Sequence, residues 1–311
     1  MITSNPHFST TQEPGAGLSG VANSPGTGSR LLSIAHISPQ PFQEPFIEFV
    51  PGANYFKVSR GGYPQEKKGG GKRGAITGFS RGSRRRLMVL MSKIPEGSKL
   101  PAFVTLTYPF VFPTPAGAKS HLDNFLKRFA RAFPMAGAIW KLEPQDRGAP
   151  HFHLLVWGVD LADLSRWVPQ NWYQIAGGGD KLHYRWHSGL LGNKHCVQAV
   201  NSHRGVIAYA SKYLGKSFEQ TNWVYTGRFW GVFQRTNIPF GSVYNFAVDL
   251  SKANLALRYQ RSFIKSRRRI NTQRALASGQ VVHTKKRKNF NPRSQVTFCD
   301  ASRWVINILR E

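Results

Sequence analysis

From residue 99 onward the apolar residues recur at two alternating spacings, one of two and one of three to four. "PAFVTLTY" (101–108) alternates and is rich in β-branched and aromatic side chains, which predicts a strand. "AGAKSHLDNFLKRFARAF" (116–133) sets Leu122, Phe125, Leu126, Phe129 and Phe133 at helical spacing, with Lys and Arg on the other side. "GAIWKLEP" (137–144) and "HFHLLVWGV" (151–159) predict two further strands, separated by the turn-forming "QDRGAP" (145–150). "LADLSRWVPQNW" (161–172) predicts a helix broken near Pro169, "KHCVQAVNS" (194–202) a strand, and "RGVIAYASKYLGKSF" (204–218) a helix. This order indicates an α+β domain in which helices cover an antiparallel β-sheet.

The flanks follow other patterns. Residues 1–45 are rich in Ser, Thr, Gly and Pro and are expected to form a disordered N-terminal segment. Residues 46–98 are expected to be a basic linker ending in a short helix, "SRRRLMVLMSKI" (83–94), with Ser80 or Ser83 at its start. The α+β domain then spans 99–248, and 249–311 is a basic, helical C-terminal extension. Within it "SKANLALRYQRSFIKSRRRI" (251–270) is helical, "TKKRKNFNPR" (284–293) is a basic run, and "VTFCDASRWVINIL" (296–309) adds a strand or a helix. No internal repeat is visible.

Charge narrows the function. The 311 residues carry 43 Lys and Arg against 15 Asp and Glu, a formal net charge of +28. Such a charge repels itself in a compact fold unless a polyanion is the partner, with nucleic acid first and an anionic membrane surface second. No run of eighteen apolar residues and no secretory signal is visible, so the host cytoplasm is the expected location, with no membrane partner. Cys196 and Cys299 suit a reducing interior and make neither a disulfide framework nor a four-cysteine zinc site. "PQEKKGGGKRGAITGFSRGSRRR" (64–86) offers Lys67, Lys68, Lys72, Arg73, Arg81, Arg84, Arg85 and Arg86 as phosphate contacts. Arg228 sits among Trp223, Tyr225, Phe229 and Trp230, residue types that stack on unpaired bases or build an apolar cluster.

Two constellations carry chemistry. In a strand, positions i and i+2 share a face, so His151 and His153 project together while Phe152 points into the core. Glu143 ends the preceding strand, and antiparallel pairing would bring its carboxylate to the same face. Two imidazoles and one carboxylate suit Mg²⁺ or Mn²⁺ bound to a phosphate. In "AYASKYLGK", Tyr209 and Tyr213 are i and i+4 on a predicted helix, with Lys212 one position round. A tyrosine can attack a phosphodiester if a metal and a lysine balance the developing charge. The "GKS" ending lacks the glycine and preceding strand of a phosphate-binding Walker loop, so an ATPase is excluded.

"FVTLTY", "EPQDRGAPHFHLLVWG" and "YASKYLGK", in this order and at these separations, resemble the three motifs of HUH endonucleases, and more closely those of rolling-circle replication initiators of small single-stranded DNA phages and plasmids. "GFSRGSRRRL" and "GRFWGVFQRTNIP" resemble segments flanking that core, so the likeness covers roughly residues 75–245. The resemblance implies an HUH-type α+β fold, a divalent metal on His151 and His153 with Glu143 as third ligand, and Tyr209 or Tyr213 as nucleophile assisted by Lys212. It also implies single-stranded DNA at a replication origin as substrate, nicked through a 5′-phosphotyrosine and then transferred, with helicase and polymerase borrowed from the host. One-tyrosine and two-tyrosine mechanisms both fit the spacing. Three other readings stand beside it: a non-catalytic nucleic-acid-binding or packaging protein, a zinc-dependent hydrolase, and a relaxase or transposase on the same fold.

Overall fold

The computed structural model describes residues 42–63, 76, 78–176, 178–202, 223, 227–281 and 294–310. Among them, α-helices and two antiparallel sheets make an α+β architecture.

The larger sheet holds β3 (Ala102–Leu106), β4 (Gly137–Pro144), β5 (Pro150–Trp157), β6 (Val197–Ala199) and β7 (Trp230–Phe233) in the order β6-β3-β5-β4-β7. Its two central strands are apolar on both faces because both faces are covered. On one face, α2 (Pro115–Ala132) and α3 (Leu161–Ala176) bury an aromatic layer: the Trp172 ring meets Phe125, Phe152 and Tyr108. The other face carries Lys141, Glu143, His151 and His153, with Phe79 lying over Lys141. Between α3 and β6 runs α4 (Lys181–His187), capped by the Asp180 side chain.

Local chemistry accounts for several boundaries. α1 (Arg81–Met91) starts where Ser80 Oγ accepts from the Ser83 amide, so Ser80 rather than Ser83 is the cap. α2 starts at Pro115, whose missing N–H is no loss in a first turn, under a Thr114 cap. α3 corrects the expected break at Pro169: the helix continues to Ala176. Leu164, Val168 and Trp172 are buried on either side of the proline. Burial of three such side chains contributes about 5–9 kcal/mol, more than the roughly 3 kcal/mol that an interior proline costs.

The smaller sheet was not foreseen. β1 (Phe46–Phe49) and β2 (Phe56–Ser59) form a hairpin flanked by β8 (Tyr244–Ala247) and β9 (Ser294–Thr297), in the order β8-β1-β2-β9. The segment expected to be a linker therefore supplies two strands, and the extension expected to be helical supplies one. Ile47, Phe56 and Val58 are covered by α5 (Leu250–Ala277) and α6 (Ser302–Arg310) through Ala253, Leu257, Val305 and Ile308. The terminal stretch left undecided by its sequence is thus a strand followed by a helix. Glu48 ties this sheet to α1's C-terminal turn by accepting from Lys93 at 3.5 Å and from Lys57 at 3.1 Å. Cys196 and Cys299 are buried free thiols, each pushed up to about 12, chiefly by burial.

Candidate functional site

The β4–β5 hairpin builds the site. Its turn closes when the Gly148 amide donates to Gln145 O at 2.8 Å and the Gln145 amide donates to Ala149 O at 2.9 Å. Gly148 has φ +80, a conformation that disfavours side chains, so the turn geometry calls for glycine there. The closed turn fixes the register: Glu143 lies opposite His151, and Lys141 opposite His153. With a period of two, all four side chains share a face.

Their distances are short. His153 Nε2 lies 2.8 Å from Glu143 Oε1, and Lys141 Nζ donates to Glu143 Oε2 at 2.9 Å. The His151 and His153 rings are 4.3 Å apart, nearly perpendicular. Each of Glu143, His151 and His153 offers a ligand atom within 4.8 Å of the others. The carboxylate and the imidazole pair expected from the sequence are therefore brought together, and among the described residues they form the one cluster of this kind.

Electrostatics prepares the donors. Burial pushes the Glu143 carboxyl up, but the His153 hydrogen bond and the Lys141 charge more than offset it and hold the group at about 2. Burial, helped by the charge on His153, pushes His151 down to about 3, so its imidazole is neutral at pH 7. A neutral imidazole and an ionised carboxylate are the forms that bind metal.

A supporting layer escaped the sequence reading. Thr105, on β3 opposite His153, places Oγ1 3.4 Å from His153 Nδ1. Gln145 Nε2 lies 3.1 Å from His151 Nδ1, and Gln145 Oε1 accepts from Arg147 Nε at 3.1 Å. Both histidines thus have their Nδ1 engaged, as ligand histidines usually do. The residues fit a divalent cation: two nitrogens, one oxygen, and ring orientations set from behind. Lys141 was also missed; its side chain is fully buried, and a lysine in an alternating strand reads as solvent-facing.

His187 is fixed close by. Its Nε2 accepts from the Thr107 amide at 3.2 Å and its Nδ1 lies 3.3 Å from His183 O. Burial, with His183 beside it, pushes it down to about 3.

Of the predicted phosphate contacts, Arg81, Arg84, Arg85 and Arg86 are exposed on α1, and Arg228 is exposed just before β7. Arg86 and Arg228 line one cleft of about 510 Å³ with Ser83 and Trp230, whose indole donates to Ser83 Oγ at 2.9 Å. Lys119 belongs to the same basic region and was not anticipated. Burial and then the Arg228 charge push its ammonium down to about 8, and it sits 4.7 Å over the Trp140 ring. Phe229 is buried and packs with Trp223, so the aromatic run divides into cluster and cleft. Tyr209, Lys212, Tyr213, Lys67, Lys68, Lys72, Arg73 and Tyr225 lie outside the described residues.

Residues 101–218 match the family model of the replication-associated protein ORF2. No curated protein and no solved structure matches the chain. The matched segment contains β3–β6, Glu143, His151 and His153, and it extends over the sequence positions of Tyr209, Lys212 and Tyr213. The match supports a role in DNA replication.

Proposed function

We propose that the protein initiates rolling-circle DNA replication by nicking single-stranded DNA at an origin and later transferring the strand. The observation that carries this reading is the meeting of Glu143, His151 and His153 on one sheet face, inside the segment similar to replication-associated proteins. A structural role for the histidines would not need an ionised carboxylate and two neutral imidazoles with supported rings. A binding or packaging protein would leave that constellation without work.

Glu143, His151 and His153 would hold Mg²⁺ or Mn²⁺, which supplies charge neutralisation at the scissile phosphate. The other steps belong to the chain. Arg81, Arg84, Arg85, Arg86 and Arg228, with Lys67, Lys68, Lys72 and Arg73, hold the backbone by its phosphates. Tyr209 attacks the phosphorus: its phenol loses a proton, an O–P bond forms, and the bond to the 3′-oxygen breaks. The 3′-oxygen takes up a proton and leaves as a hydroxyl that a host polymerase extends, while Lys212 steadies the developing charge. The phosphotyrosine keeps the bond energy, so a 3′-hydroxyl can reverse the reaction and close a circle without ATP. Tyr213 makes the second cut while Tyr209 is occupied. The partners are origin single-stranded DNA and the host helicase and polymerase, in the host cytoplasm and without a membrane. The fold is then of the HUH endonuclease type.

The test is cleavage of a single-stranded origin oligonucleotide with Mg²⁺ or Mn²⁺, with chelator, and with His151→Ala. Cleavage only for the wild type with metal is expected; cleavage that survives chelation or His151→Ala contradicts the reading.

A further inference from the structure

Directly after β3 the chain makes the loop "PFVFP", residues 109–113. Phe110 is 90% exposed, Val111 82% and Phe112 37%. Scattered apolar residues are ordinary on a surface, but three in succession at a loop tip are not. Prolines at both ends stiffen the loop, so it does not readily fold its tip back onto the protein.

The loop is also wired to the metal-binding hairpin. Arg147, in the β4–β5 turn, donates to Pro109 O at 2.9 Å and to Tyr108 O at 2.7 Å, and its guanidinium lies 5.3 Å from the Phe112 ring. The same Arg147 donates to Gln145, which contacts His151. An unbroken path of three hydrogen bonds therefore joins a candidate metal ligand to the root of the loop. On the other side, the loop continues the strand whose Thr105 backs His153. The loop is thus anchored at its base to both histidines' supports, while its tip is free.

We infer that this loop is an aromatic finger on which an unpaired base next to the scissile phosphate stacks, with Phe110 as the platform. The inference rests on the single-stranded DNA substrate proposed above. A nucleobase is the favoured occupant for two reasons. A polyanion suits a chain of net charge +28, and a base offers a π-face to an aromatic ring beside the phosphate that the hairpin binds. The guanidinium at Phe112 suits the neighbouring phosphate as well. Such a finger would hold the strand in register, so that one phosphate stays at the triad.

The experiment uses the full chain in chelator, where no cleavage occurs, with single-stranded oligonucleotides carrying 2-aminopurine at successive positions. The wild type should quench one position strongly. Phe110→Ala should abolish that quench and weaken binding about 5- to 150-fold, with the salt slope unchanged. Phe110→Trp should restore both. Because Phe110 is 90% exposed, the alanine variant should fold as the wild type does. Several outcomes would overturn the inference: no position-specific quench, an equal loss of affinity for duplex DNA, or a wild-type dimer that Phe110→Ala makes monomeric. Binding of neutral liposomes that Phe110→Ala removes would also overturn it, and would assign the tip to a membrane. Position-specific quenching without later nicking would leave the finger standing and reject the cleavage reading; nicking without quenching would do the reverse.

Discussion

Lys141 and His153 face each other across β4 and β5, and each takes a different oxygen of Glu143, Lys141 at 2.9 Å and His153 at 2.8 Å. The carboxylate is therefore held ionised from two sides before any metal arrives. Lys141 does this from a fully buried position.

Removing one partner of a buried ion pair is costly, because the remaining charge loses its compensation. Lys141→Met should lower the stability of metal-free protein by about 3 kcal/mol, read from urea unfolding. Added Mn²⁺ should recover part of that loss, and raise the melting temperature more in the variant than in the wild type, since a cation bound only by the folded state stabilises it. An unchanged metal-free stability would mean that Lys141 does not hold Glu143.

Thr105 tests the layer behind the metal. Thr105→Val keeps shape but removes the hydroxyl 3.4 Å from His153 Nδ1. Mn²⁺ affinity by calorimetry should fall about tenfold or more with little change in the melting temperature. Equal affinities would show that His153 needs no support from β3.

The strand period made part of this site legible. Glu143, His151 and His153 follow from alternation and a short turn, both local properties of the sequence. Thr105 was hidden because its contact depends on which strand pairs with β5, a choice made by residues about 48 positions apart. The smaller sheet was hidden for the same reason: Phe46 pairs with Ala247, far along the chain, and four-residue strands carry little pattern of their own. Pro169 misled because local propensity lost to the burial of Leu164, Val168 and Trp172 around it. The finger at Phe110 reads in sequence as part of an apolar stretch; its exposure and its tie to Arg147 are visible only in three dimensions.

The buried histidines set a pH dependence. His187 has a folded pKa near 3 against an ordinary 6.5, because burial opposes its charged form. The unfolded chain thus binds the proton first, and the stability this group contributes is complete above about pH 6.5 and is lost as pH falls toward 3. Glu143, held at about 2 against 4.5, acts in the same direction over its lower window: its contribution is complete above 4.5 and lost toward 2. Stability measured by urea midpoint should fall between pH 6.5 and 3 by about 1.4 kcal/mol per pH unit for each such group. A flat profile from pH 7 to 4 would contradict the buried, neutral state of His187.

The cleft between α1 and β7 should govern salt dependence. Arg86→Ala with Arg228→Ala should reduce the slope of log affinity against log salt by about 0.7 for each phosphate no longer neutralised, and weaken binding to all single-stranded sequences alike. A sequence-selective loss at constant slope would instead mean that these arginines read bases.

The central claim is a tyrosine-linked cut, and it is tested most directly by trapping the protein–DNA adduct. A single-stranded origin oligonucleotide is incubated with the protein and Mn²⁺, digested with protease, and the linked peptide sequenced by mass spectrometry. The linkage is predicted on Tyr209 at a 5′-phosphate, absent from Tyr209→Phe and still formed once by Tyr213→Phe, which should fail only in the closing transfer. An adduct on neither tyrosine, or product ends with a free 5′-phosphate and no attached protein, would contradict the account.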